Sequence, residues 1–252
     1  MITSPHNAKL KEIRKLRQRR RWRDRSGLFV AEGEDLLSAA DAQGWVAIER
    51  YAAIGSGLPG VEVDADLLAS ASGLGSGTRT LAVYEERWAP APVGPLCAYL
   101  HGLHDPGNVG TVLRSAQAFG ASCVALGPGT ADPYSPKAVR ASMGAVFAVP
   151  LSRAEVADLP GTKIALVPGA GDELWRSTPV YAMSGAKVPT ETTLMIGAER
   201  DGLPDEIVAS ADHVAHIRIA TDSLNAAMAA TVALYEVTRQ PDVPASSRVR
   251  AA

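Results

Sequence analysis

The chain has 252 residues, 46% hydrophobic and 21% charged, which is enough to bury one large core or two modest ones and argues against wholesale disorder. No apolar run approaches the roughly 18 residues of a membrane helix, no hydrophobic segment follows the basic opening, and two cysteines make no disulfide framework; a cytoplasmic protein is expected, with Cys97 and Cys123 as structural thiols. The net charge of −2 hides an asymmetry: residues 9–25 carry ten Lys and Arg against Glu12 and Asp24, so this stretch is near +8 and the rest near −10, a footprint for a polyanion.

Ser4-Pro5 reads as an N-cap followed by proline at the first helical position, and Leu10, Ile13 and Leu16 recur at helical spacing. One amphipathic helix is therefore expected over residues 5–23, apolar stripe inward. Lys9, Lys11, Arg14, Arg17, Arg19, Arg20 and Arg21 are then candidate RNA contacts on its outward face. A strand at 28–31, a helix at 34–43, a strand at 45–54 and a short strand at 81–84 complete a small α/β unit over 1–87. The G-x-G-x-x-G at Gly55, Gly57 and Gly60 opens no helix, has Pro59 inside it and reads as a loop, not a dinucleotide site. Residues 88–95, with three prolines and a glycine, read as a semi-rigid linker. Beyond it, strands are expected at 96–101, 123–127, 146–151, 163–168, 193–197 and 214–219, with helices at 108–119, 135–142, 204–211 and 223–239. That alternation implies a mostly parallel sheet with helices on both faces, over residues 96–240. The polar segment 241–252, with Pro241 and Pro244, is expected to be disordered.

Three segments of the second unit carry candidate chemistry. HDPGNVGTVLRSAQAFGA (104–121) turns at a strand end and opens a helix whose stripe is Val109, Val112, Leu113 and Ala116; Arg114 lies roughly 140° from that stripe, free to face a cleft. LMIGAERDGLP (194–204) is an apolar strand that breaks at Gly197 and delivers Glu199 just past its end. HIRIATDSLNAAMAATVALYE (216–236) ends a strand and opens a long helix at Ser223-Leu224-Asn225, with Leu224, Met228, Val232 and Tyr235 on one face. Loops at the carboxyl ends of strands are where open α/β sheets bind ligands. His101 and His104 lack the partners of a metal set, and no G-x-S-x-G elbow supports a hydrolase.

Taken jointly, the three blocks resemble the three motifs of the SpoU/TrmH family of RNA 2′-O-ribose methyltransferases, within the SPOUT superfamily. DPYSPKAVRASMG (132–144) is similar to that family too, and the opening ITSPHNAKLKEIRKLR…LFVAEGEDLL resembles its ribosomal-protein-like RNA-binding domain. The third block departs from the pattern: Ile217-Arg218-Ile219 and a short Ala220-Thr221-Asp222 link stand where the family has a Pro-Met pair and a glycine-bearing loop. The resemblance implies a C-terminal trefoil knot, a homodimer near the 223–239 helix, and S-adenosylmethionine as methyl donor without a metal. It implies Gly197, Ile217 and Leu224 as cofactor contacts through backbone groups, and Arg114, Asn108, Glu199, Ser223 and Asn225 as the catalytic set. Lys137 and Arg140 are candidate phosphate contacts.

The chemical problem would be a ribose 2′-hydroxyl that stays protonated near neutral pH. A guanidinium, charged below a pKa of about 12 and without an acceptor atom, fits a charged donor better than a base. The RNA is expected to be ribosomal rather than transfer RNA. Two other readings stay open at this point: a non-catalytic RNA-binding relative, and a nucleotide-dependent metabolic enzyme with a basic tail.

Overall fold

The structure is a computed structural model that describes residues 1–73, 77–174 and 191–238; the segment expected to be disordered, 241–252, lies outside them. Helix α1 (Ala8–Gln18) buries Leu10, Ile13 and Leu16, the stripe the sequence spaces for it. Its start differs from expectation. Asn7, not Ser4, caps it, its side chain accepting from the Lys9 N–H, and Pro5 lies in the preceding turn. The basic segment is also not one helix. Arg19 is extended (φ −129°, ψ 107°) and separates α1 from α2 (Arg20–Ser26), which ends at Gly27 in the left-handed region. Arg23 of α2 is turned inward and buried.

Strands β1 (Leu28–Glu32), β2 (Glu49–Ala53), β3 (Val61–Val63) and β4 (Thr80–Glu85) form a sheet in the order β1-β4-β2-β3. On one face pack α1 and α4 (Ala65–Ala71), burying Leu68, Tyr51, Val63 and Leu81 with the α1 stripe. At about 1.5–3 kcal/mol for each large apolar side chain removed from water, this small cluster offsets only part of the chain entropy of the unit. Sequence periodicity missed β3 and α4, because three strand residues and seven helical ones are too short to show a period; the Asp64 N-cap, accepting from the Asp66 and Leu67 N–H groups, was the available signal.

On the opposite face, α3 (Glu34–Ala42), Phe29, Trp45 and Tyr84 pack against Tyr134 and Phe147 of the second unit. The Trp45 indole N–H donates to the Phe147 carbonyl at 2.8 Å. One apolar cluster thus runs through both sheets. The 88–95 segment is docked rather than acting as a spacer: the Ala89 N–H donates to Leu151 O, and the Tyr134 hydroxyl bonds both the N–H and the carbonyl of Arg87.

Among the described residues the second sheet has seven strands, β5 (Leu96–Leu100), β6 (Cys123–Leu126), β7 (Leu151–Arg153), β8 (Thr162–Leu166), β9 (Asp172–Glu173), β10 (Thr192–Ile196) and β11 (His213–His216). Their order is β7-β6-β5-β10-β8-β11-β9, and every pairing among the described residues is parallel. Helices α5 (Pro106–Ala118) and α9 (Ala226–Thr238) cover one face, and α8 (Asp205–Ala209) the other with Leu203 and Ile207. Two short helices, α6 (Pro136–Ala141) and α7 (Ala145–Ala148), sit beside α5. The strand expected at 146–151 is a correction: Val146 and Phe147 are in α7, and the strand begins at Leu151. A short apolar run does not distinguish strand from buried helical turn, and here the turn puts Phe147 into the aromatic cluster. Cys97 and Cys123 are free, buried and paired in register across β5 and β6.

Candidate active site

Because the strands are parallel, the loops after β5, β10 and β11 emerge at one edge of the sheet. After β5, Asp105 caps α5, its carboxylate accepting from the Gly107 N–H at 2.6 Å. Lys137, from α6, pairs with the same carboxylate at 2.7 Å. The ammonium and then that N–H hold the Asp105 carboxyl below its ordinary range. Gly110 lets α6 approach: a Cβ there would lie 2.3 Å from the Ala138 carbonyl oxygen.

After β10 the chain makes a tight hairpin, with Ala198 and Gly202 exchanging N–H···O bonds of 3.1 and 3.0 Å. Gly197 permits it, since a Cβ would sit 2.2 Å from the Gly202 carbonyl carbon. The turn projects Glu199. After β11 the chain reaches Asn225, whose Oδ1 accepts from the Ala227 and Met228 N–H groups at 3.0 and 3.2 Å and so caps α9.

The three loops meet through side-chain amides. The Asn225 amide donates to Asn108 Oδ1 at 3.3 Å, and the Asn108 amide donates to Glu199. These contacts span 117 and 91 residues of sequence. Asn225 uses its oxygen to cap its own helix and its amide to hold Asn108, while Asn108 uses both ends to join the other two loops.

Beside this relay lies a cavity of about 490 Å³ lined by Gly197, Glu199, Ile217, Ser223 and Leu224 among others, a size suited to a small-molecule ligand. Its apolar wall adds Leu166, Val167, Ile196 and Ile219; four carboxylates, of Glu199, Asp201, Asp205 and Asp222, surround it against the one guanidinium of Arg200. That balance favours a ligand with positive charge. The structure therefore brings together every expected cofactor contact with Glu199 and Ser223, and sets Asn108 and Asn225 at the relay. The sequence reading missed Leu166–Pro168, Asp205, His216 and Asp222 of the lining; the end of β8 was the signal for the first three, as a further carboxyl terminus of a parallel strand.

Arg114 is elsewhere. It is exposed on α5, outside the cavity lining, and its guanidinium has no hydrogen bond or ion pair among the described residues. Nearby, Ser115 and Thr231 bond at 2.6 Å and tie α5 to α9, while Met228 and Tyr235 of α9 are 60% and 49% exposed.

The expected RNA-contact residues divide. Arg17 is corrected: it is turned inward, paired with Glu32 and donating to Ala71 O at 2.8 Å, where it satisfies the carboxyl end of α4. Lys9 pairs with Glu49, and Arg14 donates to Ser70 Oγ at 2.9 Å, yet both remain solvent-facing. Lys11, Arg19, Arg20, Arg21 and Arg140 are exposed. Lys137 is exposed but engaged with Asp105.

A parallel α/β sheet with a cation-favouring cavity at its strand ends, next to a small unit bearing a basic surface, defines a ligand-dependent enzyme acting on a polyanion. The comparisons specify it: residues 95–235 match the model of the SpoU rRNA methylase family and residues 7–73 that of the MRM3-like substrate binding domain. The chain belongs to the SpoU rRNA methylase family and is an RNA methyltransferase. It is 31% identical, over 95% of its length and 93% of the relative's, to an uncharacterized tRNA/rRNA methyltransferase of Synechocystis. It is 26% identical, over 94% of its length and 98% of the relative's, to the Bacillus subtilis 23S rRNA (guanosine(2553)-2′-O)-methyltransferase. The AdoMet-bound rRNA methyltransferase from Sinorhizobium meliloti superposes with a TM-score of 0.81 at 31% identity, covering 94% of this chain and 96% of that one.

Proposed function

We propose that this protein transfers a methyl group from S-adenosylmethionine to a ribose 2′-hydroxyl of RNA, ribosomal RNA rather than transfer RNA. The observation that carries the reading is the Glu199–Asn108–Asn225 relay, which joins the three motif loops beside a cavity lined by Gly197, Ile217 and Leu224. The cavity fits the donor in size, in its apolar wall and in its carboxylates, which suit a sulfonium and an ammonium group. When bound there, the donor supplies an electrophilic methyl group. Gly197, Ile217 and Leu224 hold it.

The chain's own residues align the acceptor and stabilise the negative charge developing on its oxygen. Arg114 grips the target phosphate and donates to the emerging alkoxide, the proton leaving to water or a phosphate oxygen; Asn108, Ser223 and Asn225 orient the ribose, and Glu199 braces the loops. Arg114 reaches the chemistry in a homodimer, whose interface includes the exposed Met228 and Tyr235 of α9. The trefoil knot of the C-terminal part belongs to this reading, as does a cytoplasmic location. So does a division into an RNA-gripping unit at 1–87 and a catalytic unit at 96–240, with Lys9, Lys11, Arg14, Arg19, Arg20, Arg21, Lys137 and Arg140 on the RNA side.

The experiment is transfer of a labelled methyl group from S-adenosylmethionine to total RNA from a strain lacking the gene. Label is expected in ribosomal RNA. Label confined to transfer RNA would overturn the choice of substrate, and none in any RNA would favour the non-catalytic reading.

A further inference from the structure

The strand-end edge of the second sheet carries another cleft. It has a volume of about 420 Å³ and opens where β6 and β7 end, separated from the cofactor cavity by β5 and its loop. The two units build it together: Arg20 of α2 and Trp88 of the docked segment line it with residues 126–133 and with Arg153, Glu155 and Asp158.

Its charges are sorted. Asp132, in the lining, is neutralised by the buried Arg23, whose Nε and Nη2 both lie 2.7 Å from Oδ2. Glu155 and Asp158 are tied in a reciprocal cap, each side chain accepting the other's backbone N–H. The groups left facing the mouth are two guanidinium ions. Arg20 is exposed, its nearest acid Asp24 at 3.7 Å. Arg153 lies over the Trp88 ring, 4.3 Å from its centroid. That ring is itself held by a 2.9 Å hydrogen bond to Glu86 and by edge contact with Tyr134. A planar cation laid on a fixed indole is a preformed platform for a base, with a second arginine for phosphate.

The 126–133 lining is continuous with the active-site loop. Thr130 Oγ1 donates to Leu100 O at 2.7 Å, Ala131 N–H to Leu103 O at 2.8 Å, and Gly102 N–H to Pro128 O at 3.1 Å. His104, at the head of the first motif, bonds the Gly129 carbonyl at 3.0 Å.

We propose that this cleft is the subsite for an unpaired nucleotide flanking the methylated one, its base stacked on Arg153 and its phosphate held by Arg20. The assignment rests on the RNA reading above and adds a specificity-determining pair, Trp88 and Arg153. The test uses fluorescently end-labelled fragments of ribosomal RNA from a strain lacking the gene, with binding read by anisotropy at fixed salt. Methyl transfer to the same fragments is measured alongside.

Arg153→Ala is expected to weaken RNA binding about fivefold or more, the lower end of base-stacking effects. Calorimetry with S-adenosylhomocysteine and a thermal melt report whether the fold is intact. Arg153→Lys should recover little of the loss, because it keeps the charge and loses the plane. Alanine binding RNA as well as wild type would overturn the subsite, and so would full rescue by lysine, which would reduce Arg153 to a diffuse charge. If wild type binds the fragments through Arg153 but methylates none of them, the methyl-transfer reading falls, and the cleft stands as an RNA-base site while its place beside a methylated nucleotide is overturned. Methylation with unaltered binding by the alanine variant is the converse. Failure of wild type to bind any fragment would overturn both.

Discussion

The basic helices α1–α2 and the three strand-end loops of the second sheet use polar residues in opposite ways. In the helices, side chains of one type and sign split by burial: Arg17 and Arg23 are turned inward and hold architecture, while Arg19, Arg20 and Arg21 face water. In the loops, Asn108, Glu199 and Asn225 are open to solvent yet are fixed by one another. The comparison teaches that neither charge nor exposure alone identifies a functional group. What matters is whether its partners lie within its own unit, across units, or outside the protein.

The largest effect expected from breaking this division is at Arg23. Arg23→Ala leaves Asp132 buried without its cation and should cost about 3–5 kcal/mol by urea unfolding, more than any exposed arginine of the segment. Replacing both partners by apolar residues should cost less. A loss below about 1 kcal/mol for the single variant would deny the pair its structural role. Next is Asn108→Ala. Removing the centre of the relay should lower kcat/KM for methyl transfer about 100-fold, the scale of losing one oriented donor, with thermal stability little changed. Activity within about threefold of wild type would show that the relay does not organise the site.

Much of this contrast was legible in sequence, unevenly. The apolar stripe Leu10, Ile13, Leu16 and the parallel alternation after residue 96 follow from period, because burial imposes it over several turns or strands. The inward turn of Arg17 was hidden, since its partner Glu32 lies on a strand and no local pattern links the two. The break at Arg19 was hidden too, as arginine is a good helix former and no local residue marks a stop. For the site, the motif blocks named the residues, but the meeting of Asn108 with Glu199 and Asn225 is a consequence of strand order β5-β10-β8-β11, which no single block contains.

Smaller effects sharpen the comparison. Changing Arg19, Arg20 and Arg21 together to glutamine should reduce the slope of log affinity for RNA against log salt by about 2, if each releases its share of counterions. Arg17→Gln should instead lower stability and leave the slope nearly as it was; a slope change from Arg17→Gln alone would undo the distinction drawn between buried and exposed arginines. The smallest effect is at Asp105. Asp105→Ala removes the α5 cap, at about 1 kcal/mol. The carboxyl is more acidic folded than unfolded, so its stabilisation is complete above the unfolded pKa of about 3.9 and fades as pH falls through the lower folded value. The difference between wild type and Asp105→Asn should therefore narrow on acidification below about pH 4. A difference that widens there would contradict the Lys137 and Gly107 contacts.

The central claim is that the three loops deliver a methyl group to a ribose oxygen. Alkaline hydrolysis of RNA methylated with label by the protein tests it directly, because cleavage needs a free 2′-hydroxyl. The account predicts label in alkali-resistant dinucleotides; label in mononucleotides would place the methyl group on a base and contradict it.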